Sequence, residues 1–164
     1  MAKHAHPGET PVTVVTVTVS DTRTPDDDEG GALLRELLSA AGFTVLRHAI
    51  VPDDPQRVRE AVTGALDAGA DAVITTGGTG IAPRDQTYEA VTGVIEKTLD
   101  GFGEAFRRLS WEQVGARSIL SRAVAGTRGR GVVIALPGSP KAVRLAVEAL
   151  IAPTLGHMVA LLRG

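Results

Sequence analysis

The segment Thr75–Thr87, TTGGTGIAPRDQT, sets Gly77, Gly78 and Gly80 among threonines just after an apolar run and adds a carboxylate, Asp85. Successive backbone N–H groups hold phosphate well, and glycine lets an anion approach them with no Cβ in the way. Thr76, Gly77, Gly78, Thr79 and Gly80 are therefore candidate phosphate-binding residues. The competing reading is an ordinary tight turn between a strand and a helix. The spacing is neither that of a Walker loop nor that of the dinucleotide-binding glycines.

A second pair of carboxylates stands in VPDDP, at Asp53 and Asp54. Asp54 precedes Pro55, which suits a helix N-cap followed by proline in the first turn. Asp53 is then free for another role. Asp85 is free too if Thr87 caps the helix that begins there. Two carboxylates beside one phosphate repel each other unless a cation is shared. Mg²⁺, which takes carboxylate and phosphate oxygens together, is the natural candidate for Asp53 and Asp85.

These residues need elements to bring them together. Val12–Ser20 is β-branched and reads as a strand, FTVLRHAIV as a second and DAVITT as a third. Between them, Leu33, Leu34, Leu37, Leu38 and Ala41, and then Val58, Ala61, Val62, Ala65 and Leu66, recur at helical spacing, with Gly42 and Gly69 at the stops. Alternating strands and helices predict a mostly parallel sheet in a three-layer α/β/α sandwich. A further helix is expected from Thr87 through Leu99, then a short one in GFGEAFRRL and another opened by the capping-box pattern Ser110–Gln113. RSILSRAVAG and GVVIALPG read as strands joined by a TRGRG hairpin, before a helix interrupted near Pro153.

In an open parallel sheet, ligands bind beyond the carboxyl ends of the strands. That rule gathers Ser20 and Asp21, Asp53, and the glycine loop on one rim. If GVVIAL is parallel to the others, Pro137, Gly138 and Ser139 join them. Ser139 is in no nucleophile elbow and suits a helix cap. Lys141 and Glu104 are weaker candidates, Arg128 and Arg130 read as loop decoration, and Asp26–Glu29 favour a helix N-terminus. His4, His6, His48 and His157 show no metal-ligand spacing.

Bulk properties narrow the function. The chain has 164 residues, 43% of them hydrophobic but only 3% aromatic, so the core is aliphatic. A net charge of −2 gives no general electrostatic case for nucleic acid or an anionic membrane. Absence of cysteine excludes disulfides and thiolate chemistry and fits a cytoplasmic location. No apolar run stands out as a membrane span. Residues 1–11 are expected to be a flexible tail and residues 12–164 a single domain.

Taken together, VSD (Val19–Asp21), VPDD (Val51–Asp54), TTGGTG with RDQT, GFGEAFRRLS, SRAVAG and LPGSPKA resemble the molybdenum cofactor biosynthesis family of MoaB and Mog proteins, which includes the G domain of gephyrin. FRRLSWEQVG, SRAVAG and IAP look closer to the MoaB type. The resemblance implies a molybdopterin adenylyltransferase that uses Mg²⁺ and ATP and releases pyrophosphate. It makes Asp53 and Asp85 the essential acidic pair, TGGTG a phosphate- and pterin-contacting loop, and Ser20, Asp21 and Pro137–Ser139 lining residues. It also implies a homotrimer or a hexamer, and handover of product to a molybdate-insertion enzyme. The alternative is a molybdopterin- or partner-binding module with little turnover.

Overall fold

The protein is described by a computed structural model covering residues 10–164. The expected tail at residues 1–11 falls almost wholly outside the described residues, as do His4 and His6. Strand β1 (Thr13–Val19), helix α1 (Glu29–Ala40), β2 (Thr44–Val51), α2 (Pro55–Asp67) and β3 (Ala72–Thr76) alternate as the hydrophobic periodicity requires. Then follow α3 (Thr87–Thr92), β4 (Lys97–Thr98), α4 (Asp100–Val114), a 3₁₀ turn (Gly115–Leu120), β5 (Val124–Arg128), β6 (Gly131–Leu136), α5 (Pro140–Ala146), a π turn (Val147–Ile151) and α6 (Ala152–Arg163).

The six strands form one mixed sheet in the order β2-β1-β3-β6-β5-β4. β2, β1, β3 and β6 are mutually parallel, while β5 runs antiparallel to both β6 and β4. The central strands are buried on both faces, as expected of parallel strands sandwiched between helices. On one face Val14, Ile74, Ile134 and Leu136 pack against α1, α4, α5 and α6. On the other, Val15, Val17, Val73 and Val133 pack against α2 and α3. This is the three-layer sandwich anticipated above.

Three local expectations are corrected. The helix from Thr87 stops at Thr92, because the chain turns at Gly93, and Lys97–Thr98 pairs with β5 instead. GFGEAFRRL and SWEQ form one helix, α4; no glycine or proline separates them before Gly115, and Ser110 is buried within it. RSIL is a 3₁₀ turn, not strand, and β5 begins only at Val124.

The interruption near Pro153 is a change of helical type, not a break. Proline lacks an N–H and crowds the preceding turn. The π turn just before it widens the helix, and the Thr154 hydroxyl donates to the Leu150 carbonyl at 2.5 Å. Pro140–Arg163 is therefore one helix of 24 residues, long and apolar enough by composition to cross a membrane. Its residues Val143, Ala146, Val147, Ile151, Leu155 and Val159 lie in the core cluster.

Candidate functional site

The register sets the strand ends level. Thr18 lies opposite Thr76, Thr76 opposite Leu136, and Val19 opposite Val51. The four turns that follow emerge side by side on one edge and are tied to one another. Ser20 donates its N–H to Val51 at 2.9 Å and Gly77 donates to Leu136 at 2.9 Å. The buried Thr76 hydroxyl donates to the Pro137 carbonyl at 2.8 Å.

The glycine turn requires its glycines. Gly77 has φ +102° and Gly78 φ +74°, conformations that side-chain-bearing residues rarely adopt. A Cβ on Gly77 would strike the Val19 carbonyl, and one on Gly78 would strike the Thr87 hydroxyl and lie 3.1 Å from Asp53 Oδ2. A Cβ on Gly138, by contrast, would make only ordinary contact, 3.4 Å from Gly77 Cα. Positive φ and close neighbours, the Val19 carbonyl at Gly77 and the Thr87 and Asp53 side chains at Gly78, thus account for these two glycines, whatever the turn binds.

Asp21, Asp53 and Asp85 lie near one another on this edge. Asp54 caps α2, accepting from the Gln56 N–H at 2.9 Å, which leaves Asp53 outside the helix. The Asp53 N–H donates to Asp21 Oδ1 at 2.9 Å, and Asp53 Oδ1 accepts from the Gln86 N–H at 3.2 Å. Burial pushes the Asp53 carboxyl above its ordinary value. Repulsion from Asp85 and Asp21 adds to this, against the opposing Gln86 N–H and the Arg84 charge.

Thr87 is not the cap assigned to it. Gln86 takes that position without a side-chain bond, because the α3 N-terminus faces Asp53. Thr87 becomes the first helical residue, and its buried hydroxyl has no hydrogen-bond partner among the described residues. Asp85 closes a turn, accepting from the Ala82 N–H through Oδ2 at 3.0 Å. Ser20 Oγ accepts from the Arg23 N–H at 3.0 Å, and Ser139 Oγ caps α5 through the Ala142 N–H at 3.2 Å. Both hydroxyls still carry a hydrogen to donate. Thr79, within the turn, is buried.

Sequence reasoning missed Arg122. Its N–H donates to Thr79 O, its Nε to Gly80 O and its Nη2 to Asp85 O, each at 3.0 Å. Glu89 holds the same guanidinium from α3, and the Arg122 hydrogen bond draws the Glu89 carboxyl below its ordinary value. The Tyr88 ring centroid lies 5.0 Å away. Arg122 and Tyr88 form one wall of an adjoining cleft of about 480 Å³ that also includes Glu104 and Arg107. Only the SRAVAG segment marked this region, and it carried no spacing that identified the arginine. Lys141 and Arg130 stay exposed, whereas Arg128 donates to the Val94 carbonyl at 3.1 Å.

The donor set fits a shared cation better than a resident one. Among the described residues no three His, Cys, Asp or Glu side chains are placed to hold a metal ion. Asp53 Oδ2 and Asp85 Oδ1 have no hydrogen-bond donor there. Mg²⁺ commonly takes one or two carboxylates and completes its shell with water and substrate phosphates.

The sequence profile described as "Probable molybdopterin binding domain" matches residues 15–157. Molybdenum cofactor biosynthesis protein B of Staphylococcus carnosus is 51% identical over 146 residues, covering 87% of this chain and 86% of its own. The namesake from Bacillus anthracis is 51% identical over 144 residues, covering 87% and 85%. The crystal structure of the tungsten cofactor synthesizing protein MoaB from Pyrococcus furiosus superposes with a TM-score of 0.85 at 39% identity, covering 95% of this chain and 99% of that one. A chain that matches this profile over residues 15–157 and these proteins over most of its length belongs to the MoaB/Mog family of molybdenum cofactor biosynthesis proteins.

Proposed function

We propose that the protein acts in molybdenum cofactor biosynthesis as a molybdopterin adenylyltransferase. The observation that carries this reading is the convergence of Asp21, Asp53 and Asp85 against a glycine turn at the carboxyl ends of parallel strands. In the reaction, a terminal phosphate oxygen of molybdopterin attacks the α-phosphorus of ATP. A P–O bond forms, the bond to the β-phosphate bridge breaks, and pyrophosphate leaves.

The protein's part is positioning and charge neutralisation, with no covalent nucleophile. Asp53 Oδ2 and Asp85 Oδ1 would hold Mg²⁺ brought with ATP. The cation supplies neutralisation of charge on the transferred phosphate. The hydroxyls of Ser20 and Ser139 and the backbone N–H groups of Gly78–Gly80 and Gly138 offer donors to the two phosphorylated substrates. The Thr87 hydroxyl is a further unsatisfied donor beside them.

The test is pyrophosphate release by the purified protein. Release that requires both molybdopterin and Mg-ATP supports the reading. Tight pterin binding without turnover would favour a binding module, and phosphate release without pterin would favour a hydrolase.

A homotrimer, or a hexamer of two trimers, goes with this reading, as do a cytoplasmic location and handover of product to a molybdate-insertion enzyme. The exposed Trp111, Val114, Ile119 and Leu120, at the end of α4 and on the turn after it, supply an apolar surface for assembly. Light scattering is expected to give a trimer or its double, and a monomer at micromolar concentration would remove the assembly from the proposal.

A further inference from the structure

We propose that Arg122 is a positioning residue that sets the separation of Asp53 and Asp85 through the peptide bond between Asp85 and Gln86. The proposal rests on the reading of those two carboxylates as the acidic pair. The carbonyl of that peptide accepts from Arg122 Nη2 at 3.0 Å, and its N–H donates to Asp53 Oδ1 at 3.2 Å. One rigid plane is therefore gripped at both ends, by a guanidinium on one side and a carboxylate on the other. Planarity of the peptide transmits the position of either grip to the other. Charge at each end polarises the same dipole in the same sense, which strengthens both bonds.

The arginine is itself held. Nε binds the Gly80 carbonyl, so the guanidinium spans both legs of the loop from Thr79 to Asp85 and closes its neck. Glu89 anchors the outer edge of the fork, and its side chain is 52% exposed. An exposed ion pair alone contributes little. The function of Glu89 here is to aim the fork at the carbonyls of Gly80 and Asp85. Within the loop, Asp85 is fixed by reciprocal bonds with Ala82: its N–H donates to Ala82 O at 2.8 Å, and its Oδ2 accepts from the Ala82 N–H. Its carboxylate therefore moves with its backbone. A lysine at residue 122 would carry the same charge but could not reproduce a planar fork to two carbonyls and a carboxylate.

The experiment compares the full chain with Arg122→Lys and Glu89→Gln by amide hydrogen exchange and by steady-state adenylylation. In Arg122→Lys, the Gln86 amide should exchange at least about tenfold faster while the β3 amides keep their protection. Turnover should fall roughly ten- to a hundredfold in kcat, with KM for molybdopterin within about twofold, as misplacement of the acidic pair by a fraction of an ångström requires. Added to Asp85→Asn, the Arg122→Lys change should cost little more, because it acts through the same group. Glu89→Gln should shift Gln86 exchange in the same direction by less, and it decides the matter if Arg122→Lys fails to fold. Unchanged Gln86 protection, equal loss of protection throughout β3, or losses that multiply in the double variant would each overturn the proposal. Absence of turnover in the unaltered protein would instead refute the adenylyltransferase reading, with Gln86 exchange still deciding the positioning role.

Discussion

His48 Nε2 lies 2.8 Å from Asp28 Oδ2, a buried pair joining the edge strand β2 to the N-cap of α1. Asp28 also accepts from the Thr18 hydroxyl at 2.8 Å and from the Gly31 N–H at 3.1 Å, while His48 Nδ1 meets the Thr16 hydroxyl at 2.7 Å. A Cβ on Gly31 would strike Asp28, so the first turn of the helix carries glycine where the cluster fills the space.

This pair makes stability depend on acid. Burial acts to raise the Asp28 carboxyl, but the hydrogen bonds from His48, Thr18 and Gly31 and the His48 charge outweigh it and hold the group below its ordinary value. A depressed carboxyl stabilises the fold fully above its unfolded value, about 3.9, and loses that contribution as pH falls through the folded value. Urea unfolding between about pH 5 and pH 2 should show that decline, and Asp28→Asn should flatten it. At neutral pH, Asp28→Ala should cost about 2–4 kcal/mol, through loss of a cap and of a buried charged partner.

Asp85→Asn should keep the fold, because an amide oxygen can accept from the Ala82 N–H as the carboxylate does. Adenylylation should fall by about two to three orders of magnitude while molybdopterin still binds. Near-normal turnover in a stable variant would exclude a role for the charge.

Asp53→Asn separates function from stability in the opposite sense. The carboxyl is raised by burial and by Asp85 and Asp21, so its charge opposes folding above the ordinary carboxylate range. Removing it should leave Tm unchanged or raise it by roughly 1–2 °C, while abolishing turnover. Calorimetry alongside the pyrophosphate assay checks both, and a clear drop in Tm would contradict the repulsion.

Two glycine variants distinguish a folding requirement from a site requirement. Gly78→Val puts its Cβ onto Thr87 and near Asp53 at positive φ, and should cost at least about 2 kcal/mol of stability. Gly80 has no positive φ, and a Cβ there would lie 2.7 Å from Asp85 Oδ2. Gly80→Ala should therefore displace that carboxylate, lowering turnover with a Tm within a few degrees of the parent. Equal thermal losses in the two variants would count against this distinction.

What the sequence revealed follows from how locally each feature is encoded. Asp54 before Pro55 marks a helix start by its own chemistry, and the β-branched run at Thr13–Val19 can hardly be anything but strand. The rim was legible because one rule about parallel sheets places several turns together. Arg122 was not, since its partners are 37 and 42 residues away at Asp85 and Gly80. Nor was the second role of Asp28, which depends on His48 reaching it from β2. Thr87 looked like a cap because its own neighbours allow one; the carboxylate of Asp53, supplied from a different strand end, took over the helix terminus instead.

The long helix Pro140–Arg163 has a consequence for how the chain is made. Its core-packed partners, α1, β6 and α4, all precede it in the chain. During synthesis they leave the ribosome first, and domains assemble from the N-terminal side as the chain emerges. An apolar segment that would attract membrane or chaperone if it appeared early therefore meets a waiting surface. Moving it ahead of β1 by circular permutation is expected to lower the soluble yield in expression, even if the purified permutant reaches the same fold.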